Sequence, residues 1–142
     1  SKLSHNCIKL NVEIEEDITI YARYSTLCQV FVNLFDNSIY WLSFVPDDKR
    51  SINIKGNKRD RVVVFGDTGK GIDSAIRPYL LEAGYSMKIP PSGLGLYICK
   101  SYMNAMKGSI YETPVHNRIP TVTGAQFTID FNYVPSRKEE DK

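Results

Sequence analysis

Val62-Val63-Val64-Phe65-Gly66-Asp67-Thr68-Gly69-Lys70-Gly71 is the stretch on which the fold turns. Four successive apolar residues describe a strand covered on both faces, because a half-exposed strand would alternate apolar with polar. Residues 61–65 therefore predict a central strand. Asp67 closes it, and the glycines at 69 and 71 keep the following turn free of side chains, so a carboxylate stands at the mouth of the sheet. Immediately upstream, 51–55 reads as its hairpin partner across Gly56-Asn57.

Outward from this strand, Ile8, Leu10, Val12 and Ile14 alternate with polar residues, and Ile18 and Ile20 do so again, predicting strands at 8–14 and 18–20. Residues 26–44 have the helical period instead: Leu27, Val30, Phe31, Leu34, Ile39 and Leu42 share a face, with Ser25 or Thr26 as cap and Pro46 beyond the end. After the glycine turn, 72–81 reads as a short helix, 82–92 as an irregular loop with Pro90-Pro91, and 94–106 as a long amphipathic helix ended by Lys107-Gly108. Strands at 109–112 and 125–131 complete the chain. The sum is an α+β two-layer sandwich, a mixed, mostly antiparallel sheet covered on one face by about three helices.

At 142 residues the chain suits a single domain, read as 1–135, with 136–142 a charged tail that has nothing to bury. Both ends read as cuts in a longer protein. Hydrophobic content of 42% and a net charge of +2 (18 basic, 16 acidic) give no general attraction to nucleic acid or an anionic membrane. No apolar run is long enough to span a bilayer. The basic interval from Lys49 to Arg61 reads as a solvated hairpin tip. Cys7, Cys28 and Cys99 are odd in number and lie far apart without a CxxC, which argues against a disulfide framework or zinc site and suits small buried hydrophobes in a reducing cytosol.

Two polar features accompany Asp67. Asn33 and Asn37 are four apart on the first long helix and point to one side of it, and a hydrated Mg²⁺ needs few protein ligands of this kind. Gly93-Leu94-Gly95-Leu96 opens the second long helix after Pro90-Pro91-Ser92, where unpaired amides and a partial positive charge favour phosphate. A carboxylate at the place of Asp67 can accept the exocyclic amine of adenine, whereas guanine presents a carbonyl there. Each stretch alone has a plainer reading, as capping asparagines, an Asp-Gly turn or a hinge. A P-loop is excluded because Val64 stands where its first glycine belongs, and a Rossmann fingerprint because Gly93-x-Gly95 runs on to Ile98.

In this order and spacing the three stretches resemble the N, G1 and G2 boxes of the GHKL superfamily (Bergerat fold), most nearly the catalytic ATP-binding domain of histidine kinases. The resemblance covers the chain from about Cys7 to Tyr133, including Gln29-Val30, the lid stretch Tyr85-Ser86-Met87-Lys88, and Gly124-Ala125-Gln126-Phe127. It implies ATP and Mg²⁺ as cofactors, with Asn37 the metal ligand and Asn33, Asn37 and Lys88 the catalytic set. Nucleotide contacts then come from Asn33, Asn37, Tyr40, Trp41, Asp67, Gly69, Gly71, Ile72, Lys88, Ser92, Gly93, Leu94, Gly95 and Leu96. Hydrolytic members such as DNA gyrase carry a glutamate at the position of Asn33. An amide cannot act as that base, so the resemblance points to phosphotransfer.

The pattern departs from the family at Tyr40, where histidine kinases often have lysine, and in a lid whose cations are Lys88 and Arg77. No helical hairpin carries an acceptor histidine: His5 precedes a strand and His116 lies in a Pro-flanked loop. The expected function is thus the ATP-binding module of a sensor histidine kinase or a close relative, inactive without a histidine-bearing helical dimerisation domain in the same longer protein. A response regulator is a further partner, and the cytoplasm the expected compartment. The alternative is a GHKL module in which ATP switches a conformation with slow or no hydrolysis.

Overall fold

The computed structural model describes residues 1–82 and 95–138. Its strands are β1 (Lys9–Glu13), β2 (Ser51–Asn57), β3 (Val62–Asp67), β4 (Ser109–Glu112) and β5 (Gln126–Asp130). They form one sheet in the order β1-β2-β3-β5-β4, in which β1 and β2 are parallel and every other pair antiparallel. The helices are α1 (Lys2–His5), α2 (Tyr24–Leu42) and α3 (Gly95–Ala105).

β3 is central, as its composition requires. Its register sets Phe65 opposite Ile54 on one side and Phe127 on the other, so Val63, Phe65, Ile54, Phe127 and Ile129 make one apolar layer. Against that layer α2 buries Val30, Leu34, Ser38 and Leu42, a stripe repeating every four residues, and α3 adds Cys99 and Met103. Phe35 meets Phe65 edge to face at 5.0 Å. The opposite face of β3 is covered too. There the connection from β4 to β5 folds back over the sheet, held by Gln126, whose Oε1 accepts from the Ile119 amide (2.8 Å) and whose Nε2 donates to the Val122 carbonyl (2.8 Å). Val64, Val122 and Thr128 are buried beneath it, which is why the run Val62 to Phe65 contains no polar residue.

Several sequence expectations are corrected. Residues 18–20 are not a strand: Ile18 and Ile20 pack on the core, but the Thr19 carbonyl accepts from the Arg61 guanidinium (3.0 Å) and the Tyr21 amide donates to the Pro135 carbonyl (2.6 Å). Side chain and loop partners here replace a ladder. Neither Ser25 nor Thr26 caps α2; Arg23 occupies the cap position, with no side-chain hydrogen bond. The β2–β3 turn lies beyond Gly56-Asn57, since both belong to β2 and Arg61 takes the left-handed conformation (φ 52°). Asn57 Oδ1 accepts from the Asp60 amide at 3.1 Å and closes that turn.

The expected helix at 72–81 reduces to a 3₁₀ turn at Arg77–Tyr79. Pro78 lacks an amide and disfavours helical geometry at Arg77, while the Asp73 carboxylate captures the Ala75 amide at 2.8 Å. The short α1 was not foreseen and is capped reciprocally by Ser1 and Ser4. Of the cysteines only Cys99 is buried; Cys28 is partly buried and Cys7 exposed, and all are free. Among the described residues no helix is long and apolar enough to cross a membrane, and no cluster of His, Cys, Asp and Glu could hold a metal.

Candidate nucleotide site

Asp67 is 3% exposed at the end of the central strand, on the helix-covered side of the sheet. Its Oδ2 accepts from the Ser38 hydroxyl at 2.8 Å and its Oδ1 from the Gly69 amide at 2.9 Å. The backbone is held as firmly: the Asp67 amide donates to Ala125 (3.0 Å) and its carbonyl accepts from Gly124 (2.9 Å). A Cβ on Gly124 would stand 2.5 Å from Asp67 Oδ1 and 2.7 Å from the Gly69 nitrogen, so only glycine lets the last loop pass here. Burial raises the Asp67 pKa above the usual carboxylate value of 3.8, and the Gly69 amide, the Ser38 hydroxyl and the Ala125 contact oppose that rise without cancelling it. An ionised carboxylate has about four acceptor positions, so these two donors leave capacity for a ligand's amine.

The turn after Asp67 passes beside the end of α2. A Cβ on Gly69 would lie 3.7 Å from Trp41 Cβ, and Gly71 has φ +86°, a conformation that side-chain-bearing residues rarely adopt. Ile72 then returns to the edge of the core. Tyr40, Trp41 and Phe44 form an aromatic group, with ring centroids 5.0 Å apart for Tyr40 and Trp41 and 6.0 Å for Trp41 and Phe44. The Lys70 ammonium lies over it, 5.1 Å from the Trp41 centroid and 5.9 Å from that of Phe44.

Toward the start of α2 the site is less tightly bonded. Asn33 Oδ1 accepts from Gln29 Nε2 (2.8 Å), and its Nδ2 donates to the Gly95 carbonyl (3.3 Å), tying the first turn of α3 to α2. Asn37 is half-buried, and its amide makes no hydrogen bond among the described residues. Gly95 has open space where a Cβ would project, and Leu96 packs on the core. Arg77 is turned away from this region, its Nε bonded to Glu112 Oε1 on β4 at 2.8 Å. Lys88, Ser92, Gly93 and Leu94 lie outside the described residues.

The structure thus brings Asn33, Asn37, Trp41, Asp67, Gly69, Gly71 and Gly95 along one edge of the helix–sheet seam. Sequence reasoning missed Ser38, Lys70 and Gly124 as parts of it. Ser38 had a signal: it interrupts the stripe Leu34, Ser38, Leu42, and a hydroxyl on an otherwise apolar stripe needs a partner. Gly124 belonged to a stretch that carries the resemblance, but its role at Asp67 could not be read there, because that role depends on a strand more than fifty residues earlier.

A sequence profile described as "Histidine kinase-, DNA gyrase B-, and HSP90-like ATPase" matches residues 22–135. The chain belongs to this HATPase_c family. Among curated relatives it is 32% identical over 113 residues to the autoinducer 1 sensor kinase/phosphatase LuxN of Vibrio harveyi, a match covering 79% of this chain and 13% of the relative. It is 29% identical over 125 residues to sporulation kinase B of Bacillus subtilis, covering 87% and 28%. The matches therefore span less than a third of these relatives' length. Among solved structures the nucleotide-free catalytic domain of the histidine kinase ThkA superposes with a TM-score of 0.75 at 20% identity, covering 95% of this chain and 84% of that one. The mycobacterial sensor histidine kinase MprB gives 0.67 at 21%, covering 90% and 88%. These likenesses establish the mixed five-stranded sheet with its helical cover as the fold of histidine-kinase ATPase domains.

Proposed function

We propose that the chain binds Mg·ATP as the catalytic module of a sensor histidine kinase and offers the γ-phosphate to a histidine outside it. The reading rests above all on Asp67: a buried carboxylate, fixed at both oxygens by Ser38 and Gly69, with lone pairs left for the exocyclic amine of adenine. A guanine carbonyl would meet a carboxylate there and be rejected. A full-length relative of the same fold, ShkA, has been solved in complex with AMPPNP, at a TM-score of 0.60 and 18% identity.

Along α2 the base end and the phosphate end follow in order. Ser38 holds Asp67, and the neighbouring Asn37 offers an amide oxygen to which Mg²⁺ is suited, since that ion takes few protein ligands and fills the rest with water and phosphate oxygens. When bound, the ion would neutralise charge on the transferring phosphate. Asn33 holds the start of α3 through Gly95, with Lys88, Ser92, Gly93 and Leu94 completing the phosphate side in the proposal. An amide has no basic lone pair with which to activate water, so Asn33 favours transfer over hydrolysis. Arg77 is committed to Glu112 and leaves the lid's charge to Lys88.

The acceptor histidine belongs to a helical dimerisation domain elsewhere in the longer protein, with a response regulator downstream and the cytoplasm as the compartment. Calorimetric titration of the chain with ATP and GTP, each with Mg²⁺ and with a chelator, tests the reading. Micromolar-range, Mg²⁺-dependent ATP binding without GTP binding is expected, and equal affinity for both purines would sink it. Labelled ATP presented with the full-length protein then separates phosphotransfer to histidine from a conformational switch, which would label nothing.

A further inference from the structure

We infer that Lys70 is a positioning residue of the base-binding turn, acting through the aromatic rings at the end of α2. The inference rests on the reading that Asp67 pairs with adenine. Lys70 stands between Gly69 and Gly71 and is the one residue of that three-residue stretch with a side chain. Gly71, at φ +86° and with nothing within 4 Å of where a Cβ would project, gives the turn no packing of its own. Thr68, ahead of this stretch, is bonded to the Ser51 and Lys49 carbonyls, and from residue 69 to 71 two attachments are seen among the described residues: the bond from the Gly69 amide to Asp67, and the reach of Lys70 back to α2.

That reach is specific. The ammonium makes no hydrogen bond or ion pair among the described residues, yet lies 5.1 Å from the Trp41 ring centroid and 5.9 Å from that of Phe44, within the range in which a cation is attracted by an aromatic face. Tyr40 closes against Trp41 and Phe44 edge-on, at 5.0 and 5.4 Å, which limits how the rings can turn. Gly69 passes close enough to α2 that a Cβ there would lie 3.7 Å from Trp41 Cβ. The Lys70–Trp41 contact therefore ties the turn to the helix that also carries Ser38, and so holds the Gly69 amide against Asp67 Oδ1. One helix thus supports both oxygens of the base-reading carboxylate, directly through Ser38 and indirectly through Trp41, Lys70 and Gly69.

Lys70 lies at the opposite end of the site from Asn33 and Gly95, where the phosphates belong. Its loss should weaken ATP and ADP by the same factor.

The test is calorimetry of Mg·ATP and Mg·ADP on the chain with Lys70→Met, Lys70→Arg, Trp41→Leu and the double substitution Lys70→Met/Trp41→Leu, with thermal unfolding measured alongside. Lys70→Met should weaken both nucleotides by about two- to fivefold while lowering the unfolding midpoint by no more than a few degrees, and Lys70→Arg should restore both. In the Trp41→Leu background Lys70→Met should have no further effect. Fluorescence of Trp41, the sole tryptophan, should change between wild type and Lys70→Met. A loss confined to ATP would mean a phosphate contact and overturn the inference, as would an undiminished Lys70→Met effect without Trp41, failure of Lys70→Arg to restore binding, or a Lys70→Met variant that binds like wild type. A wild-type chain that binds no adenine nucleotide overturns the functional reading and this inference together; in the other cases the functional reading stands.

Discussion

The two ends of the α2 seam are built differently. At the base end Asp67 is buried, fixed by a side chain from α2, an amide from its own turn and two backbone bonds from the last loop. At the phosphate end Asn33 ties α3 to α2 by a longer bond, and Asn37 makes no hydrogen bond among the described residues. The difference teaches how the work is divided. Recognition of a neutral ring benefits from a rigid, water-poor pocket formed before the ligand arrives, because every contact there is short-range. In the proposed function, charge and metal would be handled at the other end, where the Asn37 amide bonds nothing among the described residues.

The sharpest way to break this comparison is Asp67→Asn. An asparagine oxygen still accepts from Gly69 and its amide can donate to the Ser38 oxygen, so the fold should persist, but a donor now faces the adenine amine. ATP affinity should fall by about 10- to 100-fold, the equivalent of one hydrogen bond to a charged group. Unfolding midpoints within a few degrees of wild type would confirm that the loss is local.

The same pair of proteins tests the electrostatics. Burial holds the Asp67 pKa above 3.8 in the folded state, so the folded chain binds this proton more tightly than the unfolded one. The stabilisation from that proton is complete below the ordinary carboxylate value and is lost as pH rises through the raised one. Denaturant titrations should show the variant gaining on wild type from about pH 4 upward; a variant that loses ground to wild type as pH rises contradicts the burial argument. Adenine favours the ionised form, so wild-type affinity for ATP should decline as pH falls through the same window.

Next in size are two glycines of the base end. Gly124→Ala drives a methyl group against Asp67 and Gly69, and should cost about 1–3 kcal/mol of stability together with ATP affinity. Gly71→Ala meets open space and suffers only its positive φ, about 1–2 kcal/mol, with affinity less affected. Equal effects on binding would mean that the turn, not the carboxylate, sets the pocket.

Asn37→Ala probes the other end: ATP affinity in Mg²⁺ should drop to the level found in chelator, with unfolding nearly unchanged because this amide bonds nothing among the described residues. The smallest effect is expected at Arg77→Ala. Its partly exposed pair with Glu112 contributes about 0–1 kcal/mol, and nucleotide affinity should stay as it was.

How far the site could be read in advance varied by residue. Val62 to Phe65 announced a central strand because only burial on both faces tolerates so long an apolar run, and the period of α2 announced which of its faces meets the sheet. The strand expected at 18–20 failed because alternation records one buried face and not a hydrogen-bond partner; Arg61 and Pro135 take the backbone instead. The helix expected at 72–81 failed to a local conflict at Asp73 and Pro78 that apolar spacing outweighed in the reading. Ser38 was legible as a polar break in an apolar stripe, though its partner was not.

What the sequence determined by itself is the layer architecture and the order of the polar stretches, since periodicity and glycine placement act over a few residues and leave local marks. What only the tertiary structure decided is how Asp67 is held: Ser38 from a helix, Gly69 from a turn, Gly124 from the last loop, and Lys70 over Trp41. Those contacts join residues 29 to 57 positions apart from Asp67 or from each other, except at the turn, and close approach between distant segments depends on the register of the whole sheet, which no local pattern encodes.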